Sequence, residues 1–508
     1  MKLFDKLFSG IRGGIHPEGR KQLSAENPIR PIPLPKKLFV PLQQHIGAPA
    51  MPVVNIGKRV LKGQLIAAAQ GNVSAPVHAP TSGVVIALGD YVAPHPSGLP
   101  LPTITLESDG KEEWIALEAN EQPFTLSPEN IAARVAAAGI VGLGGATFPS
   151  ALKLNLSRGS GVRTLIVNGG ECEPYLTCDD RIMRERAAEI VEGIALIAKA
   201  VAAKEVLVGI EDNKPEAIAA MKAAAQSGDQ SAQQISIVAM PSMYPMGSEK
   251  QIIQKLTGKE IPAGGRPADI GVLVHNVATA WAVQQAIRYG RPLVSRIVTV
   301  SGGAMRTPRN VEALIGTPVE EVIAAAGGYA RLAARLVLGG PMMGQQFTDT
   351  RVPVVKGTSG VLALLPAEIG QSEPSPCIRC TTCVRACPIG LLPLEMASFI
   401  RASDLASSVA LGLKDCISCG SCSYVCPAHI PLVHYFNYAK GELATQERAK
   451  LKQEATRKLA DARAERMARI ERERAEAAAR RKAAREAKER AAKEAAQKAQ
   501  DQASTETA

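Results

Sequence analysis

At 508 residues and 53.5 kDa, with 46% hydrophobic and 21% charged residues, the chain is globular and long enough for roughly three domains of about 150 residues. Only 4% of its residues are aromatic, with Trp114 and Trp281 the sole tryptophans, which argues against nucleic-acid binding by extensive base stacking. The net charge of +11 is diffuse: 18 Lys and Arg against 13 Asp and Glu from Gly441 onward put +5 in the tail and +6 in the other 440 residues, so no nucleic-acid partner is expected.

The chain opens as Met1-Lys-Leu-Phe-Asp-Lys-Leu-Phe-Ser-Gly-Ile11, with Leu3, Phe4, Leu7, Phe8 and Ile11 on one helical face. Such a face suits a membrane surface, a partner groove or a dock on its own protein. It lacks the long apolar core of a signal peptide, and no run of about 18 apolar residues predicts a membrane-spanning helix. Residues 1–34 are read as an N-terminal arm, in which the Pro-rich text from Asn27 to Pro35 is a connector unable to form regular helix or central strand.

Short β-type runs follow at 37–40, 59–61, 64–68, 83–87 and 103–106, separated by turn residues. Glycines at Gly57, Gly63 and Gly83 and prolines beside strands make 35–126 resemble the barrel-sandwich fold of lipoyl and biotinyl domains. Where those domains carry their modified lysine, this chain has Gln70-Gly-Asn-Val-Ser74, which implies a structural role. Residues 127–291 alternate helices and buried strands, with helices at 131–138, 184–201 and 215–226 and strands at 163–168, 205–210 and 235–239, as in an α/β layer. A strand at 296–301, a helix at 318–326 and a strand at 336–338 suggest a compact α+β module of β-grasp type over 292–366. The tail, 439–508, is Ala, Glu, Lys, Arg and Gln with high helix propensity and acid-first pairs such as Glu465/Arg469, Glu476/Arg480, Glu486/Arg490, Glu489/Lys493 and Glu494/Lys498. Its large apolar residues are too sparse for a coiled-coil seam, so a long solvated helix, disordered towards its end, is expected.

Eight of the ten cysteines lie between Cys377 and Cys426, within the segment 367–438. They form two runs, Cys377-Ile-Arg-Cys380-Thr-Thr-Cys383-Val-Arg-Ala-Cys387-Pro388 and Cys416-Ile-Ser-Cys419-Gly-Ser-Cys422-Ser-Tyr-Val-Cys426-Pro427. Both are C-x2-C-x2-C-x3-C-P, the bacterial ferredoxin run for [4Fe–4S] clusters. Three thiolates two residues apart wrap one face of a cubane, and the fourth is turned away towards the other cluster. One cluster is therefore assigned to Cys377, Cys380, Cys383 and Cys426, and the other to Cys416, Cys419, Cys422 and Cys387. Zinc also binds paired C-x2-C, but two complete runs each closed by proline favour clusters. Apolar residues between Pro388 and Asp415 suffice for two short packing helices, giving an α-helical two-cluster ferredoxin domain. Cys172 and Cys178 fit neither run and read as ordinary thiols.

A one-electron relay needs a source or a sink. Gly142-Leu-Gly144-Gly145-Ala-Thr-Phe148-Pro149-Ser-Ala-Leu-Lys153 ends at a predicted helix start near Ser150, whose free amides suit phosphate, and Lys153 suits a phosphate or flavin edge. A tight structural turn accounts for the glycines equally well. Three further polar segments are Asn168-Gly-Gly-Glu171-Cys-Glu173-Pro-Tyr175, Tyr244-Pro-Met-Gly247-Ser-Glu249-Lys250 and His275-Asn276-Val-Ala-Thr279; singly, each also reads as a cap or turn.

Together, in this order, these four segments resemble those of the flavin-binding subunit of bacterial respiratory complex I. The chain from Gly13 to Tyr438 resembles more closely the C-subunit family of the Rnf electron-transport complex, with Asn168–Tyr175, Glu211-Asp-Asn-Lys-Pro215 and Tyr244–Lys250 its specific segments beside the cysteines. The resemblance implies that Gly142, Gly144, Gly145, Lys153, Asn168 and Asn276 hold FMN, and that Glu171, Glu173 and Glu249, with contacts around Gly247, lie nearest a nucleotide, NADH. Leu143, Thr147 and Gly170 replace the Arg, Gly and Asp of the complex I protein, and Lys250 follows Glu249, so nucleotide recognition differs more than FMN binding. The family implies a peripheral subunit on the cytoplasmic face of the inner membrane, with integral membrane subunits and a ferredoxin-like subunit as partners. It couples electron transfer between NADH and ferredoxin-type carriers to ion translocation. No side-chain acid or base is required, so no catalytic residue is assigned. The alternative is a non-flavin relay and docking subunit in which only the clusters work.

Overall fold

The computed structural model describes residues 12–505, except 96, 228–233 and 371–372. The apolar face expected at Leu3, Phe4, Leu7, Phe8 and Ile11 lies outside the described residues, as does the end of the tail from residue 506. The chain divides into two compact units, one reaching Phe436 and one beginning at Asn437.

The arm holds a first surprise. Arg30–Pro31 forms a short strand, β1, pairing in parallel with Val311 and Glu312, so the expected connector supplies an edge strand to a sheet far downstream. An edge is where proline is tolerated, because one side of the strand needs no donor.

The barrel-sandwich region packs two antiparallel sheets. β2 (Lys37–Pro41), β8 (Pro100–Ser108), β7 (Gly83–Val92) and β4 (Arg59–Val60) form one, and β3 (Met51–Pro52), β5 (Leu65–Ala68) and β6 (Val77–His78) the other. Leu38, Val40, Ile66, Val77, Val85, Ile104 and Leu106 are buried between them, following the period-two pattern of half-buried strands. β7 and β8 run further than the apolar runs at 83–87 and 103–106, because Gly89–Val92 pairs with Pro100–Thr103 as a half-exposed ribbon whose Tyr91 ring stacks on Phe39 of β2 at 3.8 Å.

The α/β region is a four-stranded parallel sheet in the order β11-β10-β9-β12, with β9 at Thr164–Gly169, β10 at Glu205–Glu211, β11 at Ile235–Met240 and β12 at Val272–Asn276. Its strands are near-continuous apolar text because helices cover them: α1 (Pro128–Ala137), α2 (Ser150–Gly159), α3 (Cys178–Glu185), α4 (Ala187–Val201), α5 (Pro215–Ser227), α6 (Glu249–Thr257) and α7 (Val277–Tyr289). The single helix expected at 184–201 is two, α3 and α4, broken at Arg186, where φ is −131°. Nothing in Met183-Arg-Glu-Arg186 breaks a helix by propensity; α3 is set instead by a cap at its start, described below. Helices α4 and α7 cross closely, and a Cβ at Gly193 would sit 1.9 Å from the Ala280 carbonyl oxygen. Only glycine permits that crossing, which seats the start of α7 over β12.

The next region is a six-stranded mixed sheet, β1-β14-β13-β17-β15-β16, built with β13 (Ser295–Ser301), β14 (Arg309–Leu314), β15 (Arg335–Leu338), β16 (Gln345–Phe347) and β17 (Gly360–Leu364), and backed by α8 (Val319–Ala325). Four short helices carry the cysteine runs and their spacer: α9 (Thr382–Ala386), α10 (Pro393–Arg401), α11 (Leu405–Ala410) and α12 (Ser421–Tyr424). The two spacer helices match the apolar text that predicted them. Finally α13, Leu432–Thr505, is one helix of 74 residues. Among the described residues, Arg457–Asp461 and Arg485–Glu489 close on it within 4.0 Å, base first, where the sequence led to acid-first pairs. All of these side chains are solvated, so pair choice there is worth a few tenths of a kcal/mol.

Lys356 ties three regions together. Its ammonium donates to the carbonyls of Pro76 and Gly139, both at 2.7 Å, and its own amide donates to Gln44. Burial pulls its pKa down to about 7 from 10.5. Between those values the folded protein holds the lysine neutral while the unfolded chain holds it charged, so its contribution to stability grows as pH rises through that window and is level below it. Lys356→Met should flatten this part of the pH dependence, read as the difference in urea-unfolding free energy between wild type and variant near either end of the window.

Candidate functional site

In the parallel sheet, β10 and β11 lie on one side of β9 and β12 on the other, so strand order reverses between β9 and β12. The C-terminal ends of these two strands carry Asn168 and Asn276, which are register partners. A crevice opens at such a reversal, and α/β sheets bind ligands there.

The glycine loop lies over this crevice. Gly142 donates to the Phe148 carbonyl at 2.8 Å, and Val141 bridges Pro149, closing the loop on itself. Leu143 anchors it: its amide donates to Thr279 Oγ1 at 2.9 Å, and its carbonyl accepts from buried Arg296 on β13 at 3.3 Å. The exposed tip, Gly144 to Ala146, leaves bare backbone for a flat group, and Gly145 adopts φ +114°, which other residues avoid. A Cβ at Gly144 would lie 3.2 Å from the Asn276 Cβ, so loop and strand end are in contact. α2 begins directly after the loop with no side-chain cap; the Ser150 amide donates to the Ile140 carbonyl at 3.0 Å, which leaves the next two, of Ala151 and Leu152, as the amides a ligand or water can take.

Lys153 on α2 donates to the Val274 carbonyl at 2.7 Å and pairs with Glu249, the first residue of α6, at 2.8 Å. His275 lies buried beside this ammonium, with Nε2 lacking a partner among the described residues, and burial pulls its pKa down to about 3. Asn168 accepts from the Gly170 amide and donates to the Gly247 carbonyl at 2.7 Å. Asn276 caps α7 through the Ala278 amide at 2.8 Å and donates to Asp179 at 2.6 Å. The structure thus gathers Gly142, Gly144, Gly145, Lys153, Asn168, Gly247, Glu249 and Asn276 around one crevice.

The two other carboxylates behave differently. Glu171 caps α3, accepting from the amides of Asp179 at 2.7 Å and Asp180 at 3.1 Å. Glu173 accepts from the amides of Met342 and Met343 at 3.0 and 2.8 Å, and burial pushes its pKa up to about 7. Both carboxylates are thus bound to protein amides. Sequence reasoning also missed Asp179, Arg296 and Lys21. Lys21, from the arm, donates to the carbonyls of Glu171, Glu173 and Leu176 at 2.7–2.9 Å, and Lys214 donates to that of Gly170 at 2.9 Å. None of the three carries a motif; the only local hint was the acidic start of α3.

The cysteines gather into two groups. Cys387, Cys416, Cys419 and Cys422 all line one cavity of about 370 Å³, counting its solvent-open part, walled by Pro388, Leu391, Met396 and Phe436. Burial and the neighbouring Cys419, Cys416 and Cys387 push the Cys422 thiol up to about 12. Cys383 is raised in the same way, by burial and then by Cys426, Cys377 and Cys380, so those four also adjoin. Iron binding displaces such protons, so four crowded thiols fit a cluster site. The two runs share local geometry. Arg379 and Thr381 in the first, and Ser418 and Gly420 in the second, have positive φ at the same offsets from Cys377 and Cys416. Those turns aim the amides of Arg379 and Ser418 at Cys377 and Cys416 Sγ, both at 3.4 Å. Cys377 and Cys380 are exposed, whereas Cys419 and Cys422 are buried.

Comparison with known proteins agrees with this arrangement. The C subunit of the ion-translocating oxidoreductase complex of Rhodobacter capsulatus is 52% identical over 449 residues, 88% of this chain and 86% of that protein. The chain belongs to this C-subunit family. The Pseudomonas aeruginosa member is 46% identical over 446 residues, 88% of this chain and 57% of its own length. The C subunit of the proton-translocating ferredoxin:NAD(+) oxidoreductase complex of Clostridium ljungdahlii is 42% identical over 450 residues, 88% of this chain and 97% of its own. Family models match along the chain: the RnfC barrel sandwich hybrid domain at 9–111, the Nuo51 FMN-binding domain at 135–285, the SLBB domain at 297–346 and a 4Fe-4S dicluster domain at 376–430. The protein therefore carries FMN-binding and two-cluster iron–sulfur domains. Among the described residues, no helix is long and apolar enough to cross a membrane.

Desolvation pushes the Cys172 thiol up to about 12 and the buried Cys178 well above its ordinary range. Neither is a thiolate near neutrality. Iodoacetamide at about pH 8 should leave both unlabelled in the native, cluster-loaded protein and label both after denaturation, read by peptide mass spectrometry.

Proposed function

We propose that this protein passes electrons between NADH and the redox partners of a membrane-bound, ion-translocating complex, through FMN and two [4Fe–4S] clusters. The observation that carries the reading is the crevice between Asn168 and Asn276, which lies in the same compact unit as both cysteine quartets. Bound FMN would supply both two-electron hydride exchange with NADH and one-electron exchange with the clusters, so that a pair of electrons can be split into single ones for the partner.

The chain's own residues then have distinct tasks. Backbone of Gly142, Gly144 and Gly145 supports the flavin ring, the open start of α2 with Lys153 takes its phosphate or edge, and Asn168 and Asn276 hold its polar rim. Glu249 neutralises Lys153 until a ligand does so. Glu171 and Glu173, bound to protein amides, keep the loop between Gly169 and Tyr175 in shape and border the nucleotide from there. Cys377, Cys380, Cys383 and Cys426 hold one cluster, and Cys387, Cys416, Cys419 and Cys422 the other. Residues 292–366, with the arm strand, form a β-grasp-type module that braces the glycine loop through Arg296. The relatives' names support ion translocation and a ferredoxin:NAD couple as the context. The partners in this reading are integral membrane subunits and a ferredoxin-like subunit, met on the cytoplasmic side of the inner membrane.

Purified protein should contain about eight irons per chain and an FMN that NADH bleaches. Lys153→Met should weaken flavin retention at least about tenfold without loss of iron, since it removes the cation of the crevice motif. Iron without flavin or NADH binding would leave the relay-and-docking reading standing in its place.

The interlocked quartets make a sharper expectation. Cys387→Ser and Cys416→Ser, from different runs, should abolish the same cluster signal in electron paramagnetic resonance, and Cys377→Ser and Cys426→Ser the other. Grouping by run instead of by quartet would refute the assignment.

A further inference from the structure

The stretch from Tyr244 to Gln251 faces two ways. Towards the crevice, the Gly247 carbonyl accepts from Asn168 at 2.7 Å and Glu249 pairs with Lys153 at 2.8 Å. Towards the iron–sulfur domain, the Tyr244 hydroxyl donates to the Cys419 carbonyl at 2.7 Å. Gln251 Nε2 donates to the Pro388 carbonyl at 3.1 Å, and Lys250 reaches Asp415 at 3.3 Å. These acceptors sit on or next to Cys419, Cys387 and Cys416, three members of one quartet. Among the described hydrogen bonds, none from this stretch reaches the other quartet.

The contact is also dry. Tyr244 and Gln251 are each 2% exposed, and Tyr244 packs with Ile15, Ala386 and Cys419 in an apolar cluster bordered by Cys172 and Met342. A buried hydroxyl bonded to a ligand residue's carbonyl both fixes the loop and points the positive end of its dipole at it. The first sets distance, on which electron transfer depends exponentially; the second stabilises the more negative, reduced cluster.

We propose that Tyr244 and Gln251 are positioning residues that hold the Cys387/Cys416/Cys419/Cys422 cluster against the flavin crevice and raise its potential above what the loop alone would give. This rests on the flavin and cluster reading above. Neither side chain touches the candidate flavin loop or a sulfur in the described hydrogen bonds, so both act through the backbone of the cluster loops.

The test uses the full chain with iron and flavin loaded. Wild type is measured first: absence of flavin bleaching by NADH there defeats the reading of function and is distinguishable from failure of this proposal. Tyr244→Phe removes one oxygen, and Gln251→Met keeps the volume while removing the donor. Each variant should keep flavin bleaching by NADH within about twofold of wild type, while reduction of the clusters slows about tenfold. In redox titrations followed by electron paramagnetic resonance, the midpoint should fall for one signal alone, the signal that Cys416→Ser abolishes. Unchanged midpoints with unchanged cluster reduction, or equal shifts in both signals, would overturn the proposal. Loss of iron from both variants would also overturn it, by making the two residues structural supports of the domain.

Discussion

Strand β9 ends at Gly169, and the backbone that follows has no further strand to pair with. Carbonyls buried without partners are costly, at about 1–3 kcal/mol each. Here they converge on two buried ammonium groups, Lys21 taking those of Glu171, Glu173 and Leu176 and Lys214 that of Gly170. Lys214 is balanced by Glu211 at 2.6 Å, whereas desolvation, and then the nearby Lys214, lowers the pKa of Lys21. Much of the molecule follows from this one arrangement. It draws the arm across the front of the α/β region, and it turns the Glu171 and Glu173 carboxylates outward from the loop onto neighbouring backbone.

Each of those carboxylates then organises something else. Glu171 starts α3, which brings Asp179 to Asn276 and so fixes the cap of α7. Glu173 fastens the loop between β15 and β16 through consecutive amides, and Met342 of that loop joins the apolar cluster beside Cys419. On its way, the arm donates from Gly14 to the Ala386 carbonyl, bridges Ile15 to Tyr244, and ends as a strand beside β14. The crevice and the quartet containing Cys419 are therefore held by shared parts.

The cysteine runs were legible because a cluster site is local. Fixed spacing and a proline after each fourth cysteine are written within a dozen residues, whereas the left-handed turns at Arg379, Thr381 and Ser418 are not, since those residue types seldom adopt positive φ. Asn168 was legible as the end of a strand and the glycine loop as the lead into a helix, whereas Asn276 and the joining of all three came from the resemblance to the complex I subunit, because the strand that Asn276 ends and the reversal of strand order beside it appear only in the folded sheet. The roles of Glu171 and Glu173 were not. An acidic residue in a loop carries no mark that tells a ligand contact from a helix cap, and their partners lie on α3 and between β15 and β16.

Composition, periodicity and motif spacing alone determined a multidomain chain, the kinds of layer it contains, two four-cysteine runs of ferredoxin spacing and a polar helical tail. Each depends on contacts within a few turns or strands. Tertiary structure decided where the arm's Pro-rich segment pairs, why α3 and α4 separate at Arg186, which carboxylates serve the fold, and which quartet is docked beside the crevice. Those outcomes depend on satisfying buried polar groups with partners far away in sequence: the partners of Lys21 lie about 150 residues from it, and that of Tyr244 lies 175 away. No local pattern records such pairings, because the desolvation cost that enforces them exists only once the chain has folded.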